Sequence, residues 1–235
     1  MRFEIKTTGD WSYYCFPDME EAGITHGFFT KNSPSHLLAG QEKQMFLSAF
    51  SLTDAIVMNQ EHGDTVNIIK NGDKPASGDG IVLIEKGTAG IIKTADCLPV
   101  IICEPGYPMA SIIHAGWRGT VKKIAQKAVN TMTELGAEKK RMTAFLGPCI
   151  NPCCYEVGAD VYTVFQNELF SEGIFHKSKG SVFLNIRQAN REILEGTGIK
   201  NIFDINLCTF CNKDIFYSYR RGEVEKRQIN FVSLR

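Results

Sequence analysis

The chain has 235 residues, 43% of them hydrophobic and 22% charged, and its 26 basic and 26 acidic residues cancel to a formal net charge of zero. This composition excludes disordered, collagen-like and coiled-coil classes, and the length accommodates one core, so residues 1–235 are read as a single compact domain. Balanced charge without a basic stripe argues against a nucleic-acid partner, and no apolar run approaches the roughly 18 residues of a membrane span.

The start of the chain, MRFEIKTTGDWSYY, lacks a signal-like apolar segment, so a cytoplasmic location is expected. In that compartment the eight cysteines, at positions 15, 97, 103, 149, 153, 154, 208 and 211, are expected as reduced thiols rather than disulfides.

In chain order, the pattern predicts a helix over 41–50 and then a strand over 55–58 that runs into Gln60, Glu61, His62 and Gly63. Apolar runs at 81–84, 99–103 and 109–113, broken by Gly and Pro, read as strands buried on both faces, with His114 directly after the last. Val121, Ile124, Ala125, Ala128, Val129, Met132 and Leu135 form a helical stripe stopped by Gly136. Further helices are expected over 160–169 and 186–195, and strands over 202–205, 215–219 and 229–232. The fold class that follows is α/β or α+β, with helices packed on mixed β-sheets.

Chemistry concentrates at three places. The segment IIHAGWRGTV, residues 112–121, places His114 and Arg118 where a strand hands over to a helix. Unpaired helix N–H groups there, with Gly119, Thr120 and the Arg118 guanidinium, suit a phosphate. The competing reading makes Thr120 an N-cap and Trp117 a core aromatic. In KTADCLPV, Asp96 and Cys97 lie in a loop between apolar runs, where a lone Cys is more often a small buried hydrophobe. Taken with His62 and His114, however, Cys97 completes a set of two imidazoles and a thiolate that suits Zn²⁺ and leaves a fourth position open. Spacing alone leaves their convergence undecided. Finally, Cys149, Cys153, Cys154 and the pair Cys208-x-x-Cys211 admit either a structural zinc site of four thiolates or reduced buried thiols, and a single CxxC favours the thiols.

The motifs QEHG (60–63), TADCLPV (94–100), HAGWRGT (114–120), GPCINPCCYEVG (147–158) and CTFCNKDIFYSYRR (208–221) closely resemble, in the same order, those of the laccase-domain or multicopper polyphenol oxidase family. The resemblance spans nearly the whole chain. It implies one α/β domain with a metal held by His62, Cys97 and His114. It also implies phosphorolysis of adenosine, inosine, guanosine and methylthioadenosine, and deamination of adenosine. The same family also carries the label of peptidoglycan-editing factor. The sequence departs from the family pattern at Thr30, Lys31, Asn32, Ser33, Pro34 and Ser35, where Lys31 replaces an Arg and loses its planar fork. Other departures are Ser77, Gly78 and Asp79 for Asp-Ala-Asp, Asn151 for Gly, and Lys226 before Arg227.

Under this resemblance the partners are small purine nucleosides and phosphate, with Arg118 and Lys31 holding the phosphate. Metal-activated water would attack C6 of adenine, with Asp96 or Glu61 shuttling the proton; each is also readable as a structural acid. Glu156 either orients a ligand or forms a structural ion pair, and the aromatics of 210–219 form either a stacking wall or core. Three rivals remain. One is a copper (Cu²⁺) oxidoreductase of phenols, for which five histidines without a His-x-His pair are a poor supply. Another is a metal-free cysteine hydrolase using Cys97 and His114. The third is a binding module braced by its metal. The expected state is a monomer or a small homo-oligomer.

Overall fold

The computed structural model describes residues 1–34, 37–74 and 77–235; Ser35, part of the departing 30–35 stretch, lies outside the described residues. The chain is mixed α and β, with two six-stranded sheets stacked on one another and a small three-stranded sheet.

The first sheet runs in the order β1 (Glu4–Thr8), β2 (Trp11–Cys15), β3 (Ile24–Phe29), β15 (Gln228–Leu234), β7 (Thr88–Thr94) and β4 (Asp54–Val57). All its pairs are antiparallel except β4 with β7. The second sheet runs β14 (Asn201–Asp204), β10 (Thr143–Leu146), β8 (Leu98–Cys103), β9 (Ala110–Ala115), β6 (Gly80–Leu83) and β5 (Val66–Ile69). Here the two edge strands, β14 and β5, pair in parallel and the rest antiparallel. Strands β11 (Glu156–Val157), β13 (Ser181–Leu184) and β12 (Phe175–Ser178) form the small antiparallel sheet.

Strands β8 and β9 are buried at every residue because both faces are covered, as their unbroken apolar runs require. On one face lies the first sheet, through a core that includes Phe28, Ile92, Ile101, Ile112 and Val232. On the other lie α4 (Ile124–Glu134), α5 (Ala159–Asn167) and α6 (Ile186–Gly196), contributing Ile124, Phe165 and Leu194 to a second cluster. Helix α2 (Gly40–Phe50) covers the far side of the first sheet with Phe46 and Leu47, and the short α1 (Pro17–Glu21) packs beside β3.

Three expectations change on contact with the structure. The helix expected from Val121 is two helices, α3 (Trp117–Val121) and α4, parted at Lys123, whose left-handed φ of 60° turns the chain. The turn lets the Ile124, Ala125, Ala128, Val129 and Met132 stripe lie on the second sheet while α3 stays at the strand end. Thr120 is inside α3, whose N-cap is Gly116; its buried Oγ1 accepts a hydrogen bond from Asn190 at 2.9 Å. Residues 215–219 do not form a strand: the carbonyl of Ile215 accepts from the N–H of Lys31, that of Phe216 accepts from the Arg221 guanidinium, and the N–H of Tyr217 donates to the Gln228 side chain, so these backbone groups are used outside any ladder.

A three-residue centre on the floor of a cleft

The loop after β4 carries His62, the turn between β7 and β8 carries Cys97, and the end of β9 carries His114, inside the strand rather than after it. One ligand atom from each of the three lies within 4.8 Å of the others, and the two imidazole rings meet edge to face at 4.8 Å. Three elements distant in sequence therefore deliver the two imidazoles and the thiol to one point.

Asp79, just before β6, organises this point from behind. Its Oδ2 accepts from the backbone N–H of Gly63 at 2.6 Å and of Glu61 at 3.2 Å, and its Oδ1 from the N–H of His62 at 3.1 Å. The same Oδ1 lies 2.7 Å from His114 Nδ1, and the carboxylate is fully buried. A carboxylate only accepts, so Nδ1 carries the proton and Nε2 is left for a ligand. Burial raises the Asp79 carboxyl, but the hydrogen bond from His114 and those of the amides outweigh it and hold the group below the usual carboxylate range. This grip also holds His62 at φ 55°, a left-handed conformation uncommon for a residue with a side chain.

Cys97 and His114 act on each other. Burial pushes the Cys97 thiol up, but the charge and hydrogen bond of His114, with His62, bring it down to about 6. Burial lowers His114, while the sulfur's charge and the Asp79 hydrogen bond lift it to about 9. The result is a thiolate beside an imidazolium, the state from which a cation displaces a proton.

Two glycines keep the space open. A Cβ on Gly116 would stand 3.2 Å from Cys97 Sγ, 3.5 Å from His62 Cδ2 and 3.8 Å from His114 Cε1, in the midst of the three ligands. A Cβ on Gly119 would stand 2.6 Å from the carbonyl oxygen of Gly63, so only glycine lets α3 rest against the His62 loop. The donor set and the cradle left by Gly116 together fit a metal ion at this point.

Asp96 takes a strained φ of 91°. Its carboxylate is bound on all sides, accepting from Thr209 Oγ1 at 2.6 Å, Ser218 Oγ at 3.0 Å and the N–H of Arg220 at 2.8 Å, while its carbonyl accepts from the N–H of Ile150. These bonds fix the turn that presents Cys97.

The centre lies at the floor of a cleft of about 750 Å³, walled by Trp117, Tyr155 and Tyr219 and bearing Lys93, Arg118, Arg220 and Arg227. Burial and then the charge of Arg227 lower the Lys93 ammonium. Arg118 lies on the Trp117 ring at 4.4 Å. Glu61 is exposed at the rim. Lys31 does not line the cleft; its ammonium pairs with Glu223 at 3.1 Å. Glu156 is exposed on β11, where it accepts from Ser181 Oγ at 2.6 Å, and touches none of the three ligands. Phe216 is core, while Tyr219 faces the cleft, so the aromatic stretch divides between its two readings. Asp79, Lys93 and Arg227 are what reading the residues by type passes over: each is one charged residue among many, and the signal borne by Asp79 and Arg227 was their place in family motifs, while Lys93 bore none.

Residues 23–235 match the family model described as multi-copper polyphenol oxidoreductase laccase. The chain belongs to this laccase-domain family. It is 36% identical over 174 residues to a purine nucleoside phosphorylase of Deinococcus radiodurans, a match that covers 73% of this chain and 66% of that protein. It is 29% identical to the purine nucleoside phosphorylase YfiH of Shigella flexneri, over 86% of this chain and 83% of the other, and 30% identical to adenosine deaminase RL5 of an unknown prokaryotic organism, over 72% and 71%. These names mark a family that processes purine nucleosides. Among solved structures, YfiH of Bacillus licheniformis superposes with a TM-score of 0.86 at 25% identity over 98% of this chain and 99% of that one. YlmD of Geobacillus stearothermophilus superposes at 0.87 and 24% identity over 99% and 98%, which supports the same fold for the laccase-domain chain. No helix among the described residues is long and apolar enough to cross a membrane.

Proposed function

We propose that the chain is a zinc-dependent purine nucleoside enzyme that carries out phosphorolysis of adenosine, inosine, guanosine and methylthioadenosine and hydrolytic deamination of adenosine. The observation that carries this reading is the meeting of His62, Cys97 and His114 under an aromatic and cationic cleft, in a family whose relatives bear these activities as names. The three residues hold the ion, and the chemistry that zinc supplies at such a centre is Lewis acidity and activation of water at neutral pH.

The chain's own groups divide the remaining work. Trp117, Tyr155 and Tyr219 receive the purine ring, whose flat face needs an apolar wall. Arg118, with Lys93 and Arg227, holds phosphate beside the ribose, and fixing two reactants in register supplies much of the acceleration. Lys31 is neutralised by Glu223 and takes no part in that grip. Asp96, with its carboxylate consumed by three donors, is a positioning residue for Cys97, so of the two acids that neighbour a ligand in sequence Glu61 is the one left to move a proton at N1 of adenine during deamination. We assign the enzyme to the cytoplasm, where its thiols stay reduced, as a monomer or small homo-oligomer.

One observation favours a second reading: Asp79, His114 and Cys97 stand in series, the order of a metal-free cysteine hydrolase with its base and orienting acid. Adenosine incubated with the purified protein, with and without phosphate, and resolved by chromatography decides between the two. Zinc-dependent release of adenine with phosphate, and of inosine without it, is expected, and both should disappear in His62→Ala. No release of either product by the zinc-loaded protein overturns the proposal, and full activity after chelation transfers the chemistry to Cys97 as nucleophile.

A further inference from the structure

A second group of metal-ligating side chains lies outside the cleft lining. Cys153 and Cys154 stand on a turn in which the N–H groups of Cys154 and Tyr155 both donate to the carbonyl of Asn151. Cys208 and Cys211 stand on another, closed by the N–H of Asn212 donating to the carbonyl of Cys208. The two turns are joined by the Cys149–Cys208 bridge, where the N–H of Thr209 donates to the carbonyl of Cys149. All four sulfurs lie within 4.8 Å of one another. Cys153 Sγ is 3.5 Å from Cys154, 3.7 Å from Cys211 and 4.0 Å from Cys208, and Cys154 Sγ is 3.3 Å from Cys211. Cys149 stays out of the group, with its Sγ accepting from the Arg187 guanidinium at 3.2 Å.

We propose that Cys153, Cys154, Cys208 and Cys211 form a structural zinc site with four thiolate ligands, separate from the centre at His62. Zinc bound to four sulfurs at about 2.3 Å in a tetrahedron sets each sulfur pair about 3.8 Å apart, and the measured separations lie on either side of that value. A disulfide joins two sulfurs and gives no reason for four to converge. Two of the four cysteines are exposed, and free exposed thiols are reactive, so an ion that engages all of them removes a liability the fold would otherwise carry. The N–H of Asn151 donates to Cys208 Sγ at 3.4 Å, the kind of outer hydrogen bond that steadies a ligating sulfur. Soft sulfur donors in a tetrahedral set select zinc or iron over harder cations, and the four protein ligands close the coordination, which makes the site structural.

The placement gives it a task. Tyr155, next to Cys154, is part of the cleft wall, and Thr209, next to Cys208, donates to the Asp96 carboxylate that shapes the Cys97 turn. One ion would thus rivet two segments distant in sequence behind the cleft.

The experiment uses the chain with His62→Ala and His114→Ala, in which every cluster cysteine is native and the first centre is lost, so its outcome does not depend on the proposed activity. Purified under reducing conditions, this protein is expected to carry one equivalent of zinc. X-ray absorption should place four sulfurs at about 2.3 Å from it. Adding Cys154→Ser and Cys211→Ser should remove that equivalent. A His62→Ala, His114→Ala chain that neither contains nor takes up zinc overturns the proposal, as do nitrogen or oxygen neighbours at the ion, iron in its place, or a disulfide within the cluster in protein kept free of oxygen. If the cysteine substitutions prevent folding, the metal content and sulfur count of the chain with native cysteines decide the matter.

Discussion

Asp79 Oδ1 meets His114 Nδ1 at 2.7 Å while the same carboxylate gathers the backbone amides of the His62 loop. One acid therefore sets both the proton of one imidazole ligand and the backbone of the other. In Asp79→Asn the amide nitrogen replaces an acceptor, leaving donors facing a donor. Metal affinity is expected to fall about 10- to 100-fold, and stability by about 1–3 kcal/mol. Zinc titration and urea unfolding read the two effects; an unchanged affinity would show that His114 orients itself without its partner.

Gly119→Ala tests the contact between α3 and the His62 loop. The new methyl would stand 2.6 Å from a backbone oxygen, which cannot yield as a flexible side chain would. A loss of about 1–3 kcal/mol in thermal or urea unfolding is expected, together with weaker metal binding as the loop is displaced.

The positioning role of Asp96 is separable from proton transfer. Asp96→Asn keeps the size but loses part of the acceptor capacity for Thr209, Ser218 and Arg220. Reduced kcat with an unaltered pH profile is expected; loss of one limb of that profile would instead make Asp96 the proton carrier.

Arg118→Ala should raise KM for phosphate about 10- to 100-fold, the scale of one charge-assisted hydrogen bond, and raise KM for adenosine less. Equal effects on the two would move the phosphate elsewhere in the cleft.

His26 gives a pH dependence that owes nothing to the metal. It is fully buried, its Nε2 accepts from the N–H of Phe16 at 2.9 Å, and burial lowers it to about 4 from an ordinary 6.5. Between those values the unfolded chain binds a proton that the folded chain refuses, so stability is whole above pH 6.5 and declines as pH falls toward 4. The loss amounts to about 3 kcal/mol. Urea midpoints across that range measure it, and His26→Gln should flatten the slope; an equal slope in that variant would assign it to other groups.

What the sequence reveals depends on where each cause lies. Chemistry held in side chains is legible: two imidazoles and a thiol state a metal preference before any fold is known, and the runs at 99–103 and 109–113 announce strands covered on both sides. The break between α3 and α4 is not legible, because nothing in the local residues demands the left-handed Lys123; it follows from the different surfaces the two helices meet. The strand expected over 215–219 fails for a similar reason, since its backbone groups find partners distant in sequence or in side chains, Lys31 N–H, the Arg221 guanidinium and the Gln228 amide, rather than in a neighbouring strand. Lys93 and Arg227 share a cleft only because β7 and β15 are neighbours. The cluster of Cys153, Cys154, Cys208 and Cys211 shows the reverse case, in which a pair spacing too common to carry weight gains meaning once a second pair is brought against it.

Strand β15 lies between β3 and β7, so the first sheet stays in two halves until residues 228–234 have left the ribosome. Until then the inner edges of both halves present unpaired amides and carbonyls to any passing strand. The final pairing joins β15 to segments about 140 and about 200 residues away, a slow closure of high contact order. The vulnerable period of this protein is thus its synthesis, and substitutions that weaken β15 should appear first as aggregation of newly made chains rather than as a lowered melting temperature.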